Sequence, residues 1–138
     1  MARNYIAVTL PAGTLLPSAR VVVNSGATID LADGKTSQPV TAALAAIGVT
    51  SAEIASGANT HGILGENPQG VTYTAGAIIA QGDALVAQDG GAGAVIPYSA
   101  ADYADADEVV ILGIAHDAAA SGATFNGSFR PTRITVAK

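Results

Sequence analysis

The sequence predicts a mainly β protein: a small antiparallel β-barrel or sandwich with one short α-helix near 39–47 and an extended N-terminal segment. Three observations carry this reading. From residue 71 onward, short apolar runs recur at regular intervals between glycine-rich turns, the spacing of small antiparallel domains. Only one stretch combines an early proline, a run of alanines and a terminal glycine, as a helix requires. The apolar half of the chain is Ala, Val, Ile and Leu, with aromatics at 4% and no Trp, so the core is expected to pack many small side chains. At 138 residues the chain is expected to be one domain with a modest core.

The elements follow in order. "NYIAVTL" (4–10) alternates with period two, putting Ile6, Val8 and Leu10 on one face. "ARVVVNSG" (19–26) gives a second strand closed by a turn, and "ATIDLADGK" (27–35) ends in the turn signal Asp33-Gly34. Residues 1–36 are therefore expected to form an extended arm or peripheral strands, with 37–138 as the β-rich remainder. In "SQPVTAALAAIG" (37–48), Ser37 is placed to cap a helix that Gly48 ends. Thr50 and Glu53 have the spacing of a capping box, so "TSAEIA" (50–55) reads as a second short helical turn. "HGILGENPQG" (61–70) reads as polar and turn-rich. The strand candidates are then 71–76, 84–88, 94–98, 109–115, 123–129 and 132–137, and "GGAG" (90–93) reads as a hairpin turn. No internal repeat of useful length is visible.

Charge narrows the function. Charged residues are 12% of the chain, about half the usual ~25%. So sparsely charged a surface is expected to be hidden in part against partners. Arg3, Arg20 and Lys35 lie in the first 35 residues and Arg130, Arg133 and Lys138 in the last nine, while the nine acids from Glu53 to Asp117 face no cation between Thr36 and Phe129. Basic ends on an acidic body argue against nucleic acid, which needs clustered cations. The four arginines, Arg3, Arg20, Arg130 and Arg133, are the candidate contacts to a partner or a second subunit, because the guanidinium fork suits carboxylates. No run approaches the ~20 apolar residues of a spanning helix, so no membrane is expected. "MARNYIAVTLPAG" alternates and then meets Pro11, unlike a signal peptide. The absence of Cys removes a disulfide scaffold, a thiol nucleophile and cysteine-ligated zinc, and fits synthesis in the cytoplasm.

Chemistry-bearing residues are few. His116 and Asp117 follow an apolar strand and could join His61 as metal ligands, but none has metal spacing, such as two His four apart on a helix. A structural or solvent role is expected for His116. No G-x-S-x-G elbow accompanies the serines, and the glycines at 90–93 lack the Lys and following helix of a phosphate loop. "YSAADYADADEVV" (98–110), with four acids between Asp102 and Glu108, lacks the spaced ligands of a calcium loop and reads as a solvated acidic connection. No catalytic residue, cofactor site or metal site is expected, and so no enzyme.

Two local patterns then meet. "LVAQDGGAG" runs from Leu85, Val86 and Ala87 into a turn at Asp89-Gly90, "VVILGIA" (109–115) follows, and "ATFNGSFR" (123–130) supplies Phe125, Gly127, Phe129 and Arg130. This order resembles the head-decoration proteins of lambdoid phages. "GDALV" (82–86) and "GIAHDAAASG" (113–122) are similar to the wider phage capsid cement family. The resemblance covers about residues 70–134; Gln88 stands where the lambdoid pattern has an aromatic residue, 99–108 is an insertion, and the N-terminal half has no counterpart. It implies a β-tulip-like domain that trimerises and docks on the outside of an icosahedral capsid, binding the major capsid protein as a decoration, a cement subunit or the base of a head fibre. It implies no enzymatic activity. The rival reading is a small-ligand or carbohydrate-binding β-domain, and a weaker one is a hydrolase using His116 and Asp117.

Overall fold

The computed structural model describes residues 5–9, 15–25, 28–31, 46–51, 54–55, 59–64, 67–88 and 93–138. The chain is mainly β, and its ladders are antiparallel. The N-terminal strands are β1 (Tyr5–Thr9), β2 (Leu15–Leu16), β3 (Val21–Ser25), β4 (Thr28–Leu31), β5 (Ala46–Thr50), β6 (Ile54–Ala55) and β7 (Asn59–Leu64). Five of them form one sheet in the order β1-β7-β5-β3-β4, and β2 pairs with β6. Strands β1, β3 and β4 thus combine with later strands, with β1 and β4 at the two edges. The domain boundary expected near residue 36 lies outside the described residues.

Three sequence expectations are corrected here. The helix expected at 39–47 lies outside the described residues as far as 45, but Ala46 and Ile47 belong to β5, where Ala46 pairs with Val23. The helical turn expected at 50–55 is not seen at its described positions, and Glu53 of the expected capping box lies outside the described residues. Thr50 closes β5 with its hydroxyl engaged in the turn before β3, and Ile54–Ala55 is a strand paired with β2. The Thr50 hydroxyl donates to the Pro17 carbonyl at 2.6 Å and accepts from the Arg20 N–H at 2.9 Å, fastening that turn. Residues 61–64 and 67–70, expected as turns, extend β7 and open β8.

The second half follows the sequence more closely. Its strands are β8 (Asn67–Thr74), β9 (Ala84–Ala87), β10 (Val95–Pro97), β11 (Glu108–Ile111), β12 (Gly113–Ile114), β13 (Thr124–Phe129) and β14 (Thr132–Thr135), with a 3-10 turn at Ala100–Asp102. The run 109–115 is two strands, not one. At Leu112 the chain changes partners, from β14 on one side to β9 on the other, while Leu112 itself donates to Leu85 O and accepts from Arg130 N–H, each at 2.8 Å. The β9–β10 hairpin is closed by Gln88 N–H to Ala94 O at 2.9 Å, and the turn expected at 90–93 lies outside the described residues up to Gly93. Single bridges, Ala115 to Gly127 and Ala75 to Val95, link the β8–β13 and β10-β9-β12 sheets. Among the described residues no continuous ladder closes a barrel, and the sandwich form of the expectation is the one that fits.

Strand β9 explains the layering. Its run Ala84-Leu85-Val86-Ala87 is apolar throughout, the pattern of a strand buried on both faces. Leu85 enters the main cluster with Val71, Tyr73, Ile79, Val95, Phe125 and Phe129. Val86 points the other way, into a second cluster with Tyr103, Val109 and Val136. Strands β11 and β14 are the lid of that second cluster. Val21 of β3 and Val49 of β5 share the main cluster, and Val21 N–H bonds to Gly93 O at 2.9 Å, so the N-terminal sheet is fastened to the β9–β10 hairpin.

The structure contains an internal repeat that the sequence did not reveal. Segments 73–87 and 113–127 have the same succession of strand, bend, bridge, turn and strand, each position 40 residues from its mate (75 with 115, 82 with 122). Their contacts are reciprocal. Ile79 and Ala119 exchange both backbone bonds, Gly82 N–H bonds Ala115 O as Gly122 N–H bonds Ala75 O, and Ala75 N–H bonds Ala123 O as Ala115 N–H bonds Asp83 O. The ladders obey the same relation, Thr74 facing Thr124 and Ile114 facing Ala84. Such reciprocity is that of a local two-fold axis. Gly82 and Gly122 turn the two loops at φ +90° and +88°, where L side chains are rare.

Candidate functional site

The candidate catalytic and metal-ligating residues do not converge. His116 and Asp117 are exposed at the end of the β12 segment, and the His116 N–H donates to Asn126 O at 2.9 Å. The His116 ring stands over Gly70. His61 is in β7. Among the described residues no group of three or more His, Asp or Glu is placed to hold a metal ion. Among the described residues no helix is long and apolar enough to cross a membrane.

Of the four candidate arginines, Arg3 lies outside the described residues. Arg20 is half-buried at the turn before β3, with its Cβ against Gly93. Arg133 lies on β14 and meets Glu108 of β11 at 3.5 Å, so it pairs within the chain. The Lys138 backbone N–H donates to Asp105 at 3.0 Å, and Asp107 accepts from Ala104 N–H at 2.9 Å. The acidic connection is therefore partly tied down, by its own turn and by the basic C-terminal end. Arg130 is exposed, immediately after β13.

Sequence reading missed a surface. Along β8 and β13, Val71, Tyr73, Phe125, Gly127 and Phe129 point inward while Thr72, Thr74, Thr124 and Asn126 point outward. The outward residues are register partners, Thr72 with Asn126 and Thr74 with Thr124, and the Thr72 hydroxyl donates to Asn126 Oδ1 at 3.3 Å. Ser128 and Ile114 continue the face, joined by Ile114 N–H to Ser128 Oγ at 2.9 Å. Ile114 is 44% exposed. The backing is rigid. A Cβ at Gly127 would come within 2.8 Å of Ile114 O and 3.1 Å of the Tyr73 ring, and one at Gly113 would overlap the Ser128 carbonyl. Tyr73 stacks on Phe125 with centroids 5.6 Å apart and donates its hydroxyl to Ser128 O at 2.6 Å. Burial pushes the Tyr73 phenol far above the usual tyrosine range, so it stays a donor.

An uncharged hydroxyl and amide face with one exposed isoleucine on a stiff sheet suits contact with another macromolecule. Sequence alternation at 71–74 and 124–129 was its available signal; that both rows lie side by side was not legible. A second apolar feature is Ile78, 77% exposed on the loop of the first repeat, where the second repeat has Ala118.

The same fold occurs in a structural protein of a phage head. The crystal structure concerned is that of the head fiber gp8.5 N base in bacteriophage phi29, similar at a TM-score of 0.62 and 16% identity, over 91% of this chain and 93% of that one. No protein-family model matches the sequence, and no characterised protein matches it significantly. The likeness is thus one of fold, and it includes the N-terminal sheet for which the sequence offered no counterpart.

Proposed function

We propose that this chain is a structural virion protein of a phage. In this reading it sits on the outer surface of an icosahedral capsid as the base of a head fibre or as a decoration subunit, and binds the major capsid protein as a homotrimer. The observation that carries it is the fold shared with the phi29 head fiber base over almost the full length of both chains. Low charge and a stiff uncharged face agree with a protein whose work is contact. The reading assigns it no reaction and no cofactor, and places its synthesis in the host cytoplasm before assembly. A subunit that binds the assembled shell in preference to free capsid protein adds its binding free energy to the shell's stability.

The test is reconstitution. Capsids lacking the protein are mixed with the purified chain, sedimented, and heated in parallel with bare capsids. Saturable co-sedimentation, density on the capsid exterior in a reconstruction and a raised disruption temperature are expected. Failure to co-sediment with the capsids of its own phage overturns the proposal.

A further inference from the structure

Asn126 stands exposed in the middle of the open face of β8 and β13, and the residue after it, Gly127, is buried. Packing dictates the glycine, because a Cβ there would come within 2.8 Å of Ile114 O and 3.1 Å of the Tyr73 ring. The face takes a short polar residue, here an asparagine whose Oδ1 accepts from the Thr72 hydroxyl at 3.3 Å. Two separate demands thus set Asn directly before Gly, the only such step in the sequence. That step is the least hindered one for attack of a backbone nitrogen on a side-chain amide, since glycine has no Cβ to shield its own nitrogen.

In the folded chain that attack is held off. An extended strand sets the Asn126 side chain perpendicular to the sheet, whereas the Gly127 N–H lies in the plane of the ladder. Closing a ring between them requires the 126–127 peptide to turn out of that plane. Gly127 is paired with Val71 on one side and Ala115 on the other, and the Asn126 carbonyl accepts from the His116 N–H at 2.9 Å. The Ile114 carbonyl and the Tyr73 ring crowd Gly127 as well. All of these restraints vanish when β13 leaves β8 and β12.

We propose that Asn126 is a modification site gated by the fold, intact while β13 is paired and converted without any enzyme when the strand opens. The Gly127 nitrogen attacks Asn126 Cγ and an N–C bond forms. The Cγ–Nδ2 bond breaks, and ammonia leaves carrying the Gly127 proton. Water then opens the cyclic imide to aspartate or, more often, to isoaspartate. Aspartate only adds a carboxylate at an exposed position. Isoaspartate reroutes the main chain through Cβ and Cγ and so lengthens it by a carbon atom. Strand side chains alternate between the two faces, so the added atom moves Gly127 and Phe129 off the inward row. A copy that stays open long enough therefore loses the ability to close again.

Ageing of the full-length chain tests this, followed by peptide mapping for the mass change of amide to acid. Parallel samples are kept folded in buffer and unfolded in guanidinium chloride, at the same mildly alkaline pH. Conversion at Asn126 is expected to be at least about a hundredfold slower in the folded sample, because it needs a local opening. This comparison uses wild type alone and depends on no variant folding. The aged unfolded sample is then returned to buffer, beside Asn126→Asp and an equally aged Asn126→Gln. The latter controls for the Asp33-Gly34 and Asp89-Gly90 steps, which isomerise without a mass change. The isoaspartate fraction of wild type is expected to stay unfolded, while both variants refold as fully as fresh wild type. Equal conversion rates in the two samples overturn the gate, and an unfolded chain that keeps its amide overturns the site. Isoaspartate chains that refold as fully as Asn126→Asp, or a wild type that loses refolding no faster than Asn126→Gln, overturn the loss of closure.

Discussion

Ile79 and Ala119 exchange both of their backbone hydrogen bonds, at 2.8 and 3.0 Å, and so mark the axis that relates two 15-residue segments, 73–87 and 113–127. The relation pairs a hydrophobic position with a small one, which is why it leaves little trace in composition. The backbone, not the side chains, is what repeats.

Equivalent glycines should then respond equally. Gly82 and Gly122 have φ +90° and +88°, and a Cβ at either would meet nothing within 4 Å. Their substitution by alanine strains only the backbone, at roughly 1–2 kcal/mol each. Gly113→Ala is expected to cost more, about 3 kcal/mol, because its Cβ would overlap the Ser128 carbonyl and part β12 from β13. Urea denaturation of the three variants checks the ranking, and a Gly113→Ala midpoint equal to the other two contradicts the close approach.

The Tyr73 hydroxyl is the buried polar anchor of the main cluster, at 2.6 Å from Ser128 O. Tyr73→Phe removes the donor and is expected to destabilise by about 1–2 kcal/mol at neutral pH, measured from the shift in denaturant midpoint.

Alkali should reveal the same residue. Unfolded tyrosine loses its proton near pH 10, its ordinary value of 10.0, whereas burial holds folded Tyr73 protonated well above that. Above pH 10 the unfolded state therefore binds fewer protons than the folded one, and stability falls as pH rises. Below that pH the group contributes no slope. Tyr103 acts in the same direction, through burial first and then the charges of Asp102 and Tyr98. Stability measured from pH 8 to 12 should decline less steeply in Tyr73→Phe than in wild type; parallel slopes would show that Tyr73 titrates normally.

Val21 has no exposed surface, and its N–H bonds Gly93 O at 2.9 Å. Its amide is expected to exchange as slowly as that of Tyr73 in the free protein, as read by hydrogen exchange with peptide resolution. Fast exchange at Val21 with slow exchange at Tyr73 would show the N-terminal sheet opening separately before any capsid is bound.

The Arg133 to Glu108 pair is about half exposed on both sides, at 57% and 49%. Arg133→Ala is therefore expected to change stability by no more than about 1 kcal/mol, with the difference fading in high salt. Arg130→Ala, by contrast, should weaken association more than Lys138→Ala does, because Arg130 borders the open face whereas Lys138 contacts Asp105 through its backbone N–H. Equal association of Arg130→Ala and Lys138→Ala would leave the basic ends solvated.

Sequence alone determined the β class and the positions of β1, β3, β4, β9, β10, β13, β14 and the second half of β8, because alternation and turn residues act over a few neighbours. That Leu85 and Val86 are both buried, one in each cluster, came from the structure. Sequence reading misplaced Ala46 and Ile47 as helix and Thr50 as a cap. Their alanine and threonine preferences are weak, and pairing with Val23 and bonding to Pro17 and Arg20 outweigh them. It missed the repeat, in which only Ala75 and Ala115, Ala80 and Ala120, and Gly82 and Gly122 are identical across 15 positions. Backbone hydrogen bonds such as that of Ile79 with Ala119 ask nothing of the side chain, so no residue records them. The open face was likewise settled only by tertiary structure. Thr72 and Asn126 are 54 residues apart, and long-range register alone brings their side chains together.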